Sequence, residues 1–195
     1  HPPGTDHRLH LLLSRMWGLA IKLKLPGAEP SPFDGQAWLD TSVNHPIMAF
    51  ADAYRVVEAG IASSNRQLRF ILPLLMLTGA RQSELLQATW DDLDLAEAVW
   101  RVPVVKGGEE VAREHRLSSA AVELLACLPR WDRCSYLVPN PATKKPYHSI
   151  SSSWEAVRSR IGLAYLEIDE LRYVNFQNSE QQSEIVRLVR TAESE

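Results

Sequence analysis

Arg81 stands where an apolar run gives out. The residues Leu77-Thr78-Gly79-Ala80-Arg81-Gln82-Ser83-Glu84-Leu85-Leu86 read as the end of one helix, a glycine turn and the start of another. A cation at a helix start works against the partial positive charge of the first free N–H groups. The placement makes chemical sense when an anion sits in front of it. A guanidinium is permanently charged and offers a planar fork of donors that fits phosphate oxygens. Further bases stand at Lys106, Arg113, Arg116 and Arg172, the last within Asp169-Glu170-Leu171-Arg172. Arginines can clamp the non-bridging oxygens of a phosphodiester, where negative charge gathers during attack. A lysine can protonate the leaving oxygen. Asp169 could take a proton, but beside a phosphate it adds repulsion and competes for the arginines.

The rest of the composition narrows the chemistry. The two cysteines, Cys127 and Cys134, are too few for a disulfide framework, and Cys127 lies in an apolar run that reads as core. The six histidines are scattered without metal-ligand spacing, so neither a metal nor a cofactor is expected. No run of about 18 apolar residues exists to span a membrane. Net charge is −3, which argues against a uniformly basic face and leaves room for a local basic patch. Histidine is residue 1 and the first methionine is Met16, so the sequence reads as a fragment or processed product without a signal peptide. A reducing cytoplasm is the expected compartment.

Periodicity places these residues on elements. Leu9 to Leu23 reads as an amphipathic helix, with Leu12, Met16, Leu19 and Leu23 on one side. Pro26-Gly27, Pro30, Pro32 and Asp34-Gly35 make a breaker-rich linker. Pro46 suits the first turn of a helix running towards Gly60. Leu68 to Leu77 is apolar nearly all round and predicts a buried helix. The helix carrying Arg81 closes at Trp90-Asp91-Asp92-Leu93. Val99–Val105 and Val111–Leu117 predict two strands joined at Lys106-Gly107-Gly108. Ser118 or Ser119 caps a helix over Ala120–Leu128 that Pro129 stops. Ser151–Ile161 predicts another helix, and a further one begins near Asp169. Glu184–Ala192 would form one weak helix. The fold class is mainly α (α+β), with one small antiparallel β-hairpin.

The Thr-Gly-Ala-Arg-x-x-Glu-Leu frame, the Trp-Asp-Asp-Leu after it, the hairpin lysine, the Arg116-Leu117-Ser118-Ser119 that follows, and Arg172 resemble the catalytic domain of the tyrosine recombinases, or phage integrases. The resemblance covers roughly Leu9 to Arg172. It implies a helical recombinase catalytic domain in which Arg81, Lys106 and Arg172 grip the phosphate that is cut. It also implies that Arg113 and Arg116 contact DNA. Residues 1–25 would then be the last helix of a preceding DNA-binding (core-binding) domain, 26–44 a linker, and 45–195 the catalytic domain, degenerate or truncated after 172. The partner would be double-stranded DNA, with self-association a further expectation and no small-molecule substrate. The family would place the protein on a mobile element.

Two positions depart from the family pattern. The second box normally opens with histidine, and here Asp169 stands there. The family nucleophile is a tyrosine several turns beyond the second box, and the sole tyrosine after Arg172 is Tyr173 beside it. The resemblance therefore implies a recombination protein that does not cleave DNA by itself. The alternative is a non-catalytic DNA-binding or protein-interaction remnant of an integrase.

Overall fold

In the computed structural model, Leu13 and residues 16–27, 47–106 and 109–192 are described. The chain divides into two compact units, residues 1–44 and 45–195. In the first unit residues 16–22 form helix α1, and Leu13, Met16, Leu19 and Leu23 are exposed. The expected linker beyond Gly27 lies outside the described residues, as do Pro46, Gly107 and Gly108.

The second unit is built around one apolar helix. Its elements run α2 (Phe50–Ile61), α3 (Leu68–Thr78), α4 (Gln82–Gln87), β1 (Leu93–Asp94), β2 (Val99–Lys106), β3 (Glu109–Arg116), α5 (Ser119–Cys127), α6 (Ser151–Arg160) and α7 (Ser179–Thr191). Leu68 and every residue of α3 from Phe70 to Leu77 is buried. Pro73 sits inside this helix, where a proline costs about 3 kcal/mol by removing a donor and crowding the previous turn. Each large apolar side chain taken from water contributes about 1.5–3 kcal/mol, so the burial along α3 outweighs that cost. Helices α2, α4, α5 and α7 all pack on α3. The approach of α2 is close: a Cβ on Gly60 would lie 2.7 Å from Leu72 Cδ1.

A three-stranded antiparallel sheet in the order β1-β2-β3 stands beside the helices. Its register pairs Trp100 with His115, Val102 with Arg113 and Lys106 with Glu109. Trp100 and Val102 are buried, so the face they share points inward. Ser118 caps α5 by accepting from the Ala121 N–H at 3.2 Å.

Several sequence expectations are corrected. Helix α2 starts at Phe50. Met48, ahead of it, is drawn into a bridge with the chain around Val174, donating to the Tyr173 carbonyl at 3.1 Å and accepting from the Asn175 N–H at 3.0 Å. Helix α4 ends at Gln87, and Trp90–Asp92 is a separate 3-10 turn. The Asp92 carboxylate holds that turn by accepting from the Thr89 N–H at 2.7 Å. The segment around Asp169 is a 3-10 helix, Ile168–Tyr173, and not the start of an α-helix. Cys127 is half-buried. The tail helix is longer than expected, because Asn178 caps it six residues upstream of Glu184, its Oδ1 accepting from the Gln181 N–H at 3.0 Å. Helix α7 is no loose appendage: Ile185, Val186 and Val189 are fully buried against α2, α3 and α5.

Candidate functional site

Two features anchored on α3 bring the arginine box and the second box together. At its C-terminus Gly79 adopts φ 67°, a left-handed turn that glycine takes without a Cβ penalty, and its N–H donates to the Leu75 carbonyl at 3.1 Å. The chain reverses there and Arg81 becomes the N-cap of α4 in extended conformation. The 3-10 segment Ile168–Tyr173 packs on α3 through Leu171, which is fully buried. Asp169 is thereby exposed and Arg172 half-buried.

Arg81 and Asp169 line the same cleft, of about 290 Å³, together with Gln82, Gln87, Tyr147 and His148. Arg172 does not line it. Its guanidinium carbon lies 4.6 Å from the centre of the Tyr173 ring, and its Nη2 donates to the Tyr173 hydroxyl. Tyr147 is held by its own hydroxyl, which donates to Asn65 Oδ1 at 2.9 Å. Burial raises its pKa above the ordinary tyrosine value, against a smaller opposing effect of the Asn65 hydrogen bond. Tyr147 and His148 were not singled out from the sequence as site residues. They come from the stretch between hairpin and second box, which carries no periodic or motif signal for a cleft.

The anion in front of Arg81 in the folded chain is Glu84. The Arg81 backbone N–H donates to Glu84 Oε2 at 2.9 Å, and Arg81 Nη1 donates to Glu84 Oε1 at 3.1 Å. The first bond satisfies one of the free N–H groups that open a helix. Arg113, 29 residues on in β3, donates through Nη2 to the same Oε1 at 2.6 Å. Its Nε donates to His115 Nε2 at 3.1 Å. The His115 ring lies against the Trp100 indole with centroids 5.7 Å apart. Burial would push the Glu84 carboxyl up, but the Arg81 hydrogen bonds and the charge and hydrogen bond of Arg113 together hold it below the usual value. His115 is held below the usual histidine value by burial first, then by the Arg113 charge.

The remaining expected contacts are placed differently. In a strand alternate residues face opposite sides, so Arg113 and His115 share one face of β3 and Arg116 belongs to the other. Arg116 is exposed opposite Val99. Lys106 ends β2, its backbone paired with Glu109. Among the described residues no group of His, Cys, Asp and Glu is arranged to hold a metal ion. No helix among them is long and apolar enough to cross a membrane.

The sequence pattern of the phage integrase family matches residues 38–172. The fold is similar to that in the crystal structure of XerA recombinase, with a TM-score of 0.50 and 20% identity over 74% of this chain. The match spans 57% of that recombinase chain, and at such identity it speaks for the fold alone. None of the curated proteins matches.

Proposed function

This chain belongs to the phage integrase family, and from that premise we propose that its second unit grips a phosphate of double-stranded DNA as a tyrosine-recombinase-type protein. The observation that carries the reading is the presentation of Arg81. Its side chain is 54% exposed at the head of α4, over a cleft large enough for a phosphate group. Lys106 at the hairpin end and Arg172 supply the other positive charges, with Arg116 contacting the duplex farther out. Arg172 reaches the phosphate by leaving the Tyr173 ring and hydroxyl, an exchange of a π-face contact and a hydrogen bond for charge-assisted bonds. Asp169 borders the cleft in the place of the family histidine and disfavours a second phosphate oxygen there.

The same reading makes this polypeptide a binder that does not cut. Tyr173 does not line the cleft that holds Arg81, and Tyr147 is tied to Asn65 with its phenolate disfavoured. Tyr165 is exposed away from any described partner of the cleft. None of these is a free nucleophile beside Arg81. No metal, cofactor or small-molecule substrate enters the proposal, and recombination or integration of DNA is the activity of the family to which the binding step belongs.

Affinity for a generic duplex across a salt series tests it, comparing the chain with its Arg81→Ala, Arg172→Ala double variant. The logarithm of affinity should fall linearly with the logarithm of salt concentration, with a slope of about −0.9 per phosphate contact. The double variant should show weaker binding and a shallower slope. Binding that is indifferent to salt or to both substitutions refutes the cradle. A covalent protein–DNA adduct depending on Tyr147, Tyr165 or Tyr173 refutes the non-cutting part.

A further inference from the structure

We infer that Arg113 is a positioning residue for Arg81, acting through Glu84, and not a direct phosphate contact. The inference rests on the phosphate-cradle reading above and assigns one of its arginines a different task. The fork of Arg113 is already engaged. Nε donates to His115 Nε2 at 3.1 Å and Nη2 donates to Glu84 Oε1 at 2.6 Å. A guanidinium grips a phosphate best with two parallel N–H donors, and the edge of Arg113 that carries Nε and Nη2 is the one aimed at its own neighbours.

Glu84 is the point where the two arginines meet. Its side chain is only 12% exposed, and both guanidinia converge on the same Oε1. Arg113 holds that oxygen at 2.6 Å, closer than Arg81 at 3.1 Å. A carboxylate with one arginine would neutralise it and compete with an incoming phosphate. A carboxylate shared with a second arginine orients the first while leaving the pair with net positive charge. Arg113 thus takes up the charge of Glu84, and Arg81 stays aimed and available. His115 fixes the roll of the Arg113 fork. It does so as a neutral acceptor, its ring tilted against the buried Trp100 indole. The chain of contact from Trp100 through His115, Arg113 and Glu84 to Arg81 ties the sheet to the arginine box.

The test is a double-mutant cycle on duplex affinity, with Arg113→Ala and Glu84→Gln singly and together, each across the salt series. Glutamine keeps an oxygen to accept the Arg81 N–H and removes the competing charge. Arg113→Ala should weaken binding roughly three- to ten-fold, in the range of coupling between residues that share a partner. It should leave the salt slope unchanged and have no effect in the Glu84→Gln background. Arg113→Lys, which can still meet Glu84, should restore most of the affinity. Equal losses in both backgrounds with a slope shallower by about 0.9 would make Arg113 a direct phosphate contact and overturn the inference. Unchanged affinity in Arg113→Ala would overturn it too. Thermal melts accompany every variant, and Arg113→Gln replaces the alanine if that fails to fold. A wild-type chain that binds no duplex, or an Arg81→Ala, Arg172→Ala variant that binds normally, fails the cradle itself and the positioning role with it.

Discussion

Replacing Glu84 with alanine should destabilise the second unit by about 1–2 kcal/mol at pH 7, and the loss should fade in acid. Three interactions go with the carboxylate. The bond from the Arg81 N–H is a helix-start contact, and removing such a contact costs about 1 kcal/mol. The pairs with Arg81 and Arg113 involve side chains 54% and 42% exposed, so solvent screening limits each to about 0.3–0.5 kcal/mol. Relief of the carboxylate's own burial offsets part of this. Glu84 has its folded pKa depressed below the ordinary 4.5, the bonds from Arg81 and the charge of Arg113 outweighing burial. A depressed carboxyl stabilises the fold above its unfolded pKa and loses that contribution as pH falls through the folded value. Urea denaturation of wild type and variant at pH 7, 5 and 3.5 gives the difference at each pH. A difference that narrows at pH 3.5 fits the geometry. One that is constant with pH, or below about 0.3 kcal/mol at pH 7, would show that the shared carboxylate does not hold the box, whatever its distances.

Other substitutions probe how the site is anchored. Leu171→Ala removes a fully buried side chain that docks the second box on α3, and should cost about 2–5 kcal/mol in chemical denaturation. Duplex affinity should drop with it, since Arg172 rides on the same turn. Gly79→Ala places a Cβ at φ 67° with nothing within 4 Å to clash, so the cost is conformational alone, about 1 kcal/mol in thermal or urea unfolding. A much larger loss would mean that the turn cannot be held by any other residue and that the reversal into α4 fails.

Local chemistry was legible in the chain itself. The apolar run of α3, the glycine that ends it and the arginine after it specify a helix, a left-handed turn and a second helix start. The Val-rich segments on either side of Gly107-Gly108 specify the hairpin, and the Ser118-Ser119 pair specifies the start of α5, where Ser118 is the cap. Each rests on interactions among neighbours a few residues apart, which composition and spacing encode directly. Where long-range contacts compete, the pattern misled. Pro46 suggests a helix start, yet the chain pairs Met48 with Val174 before α2 begins at Phe50. The tail read as one weak helix over Glu184–Ala192, yet the helix starts at Ser179 and its Ile185, Val186 and Val189 complete the core.

The sequence by itself determined the order of the arginines and lysine, and the kind of anion such a set suits. Tertiary structure decided what each touches. It joined Arg113 to Glu84 across 29 residues and turned Arg172 onto Tyr173. It also set His148 on the cleft that Arg81 and Asp169 share. Side-chain hydrogen bonds and ion pairs of this kind are short-ranged, so they depend on how helices and sheet pack to within an ångström or so, and no pattern along one strand or one helix carries that information.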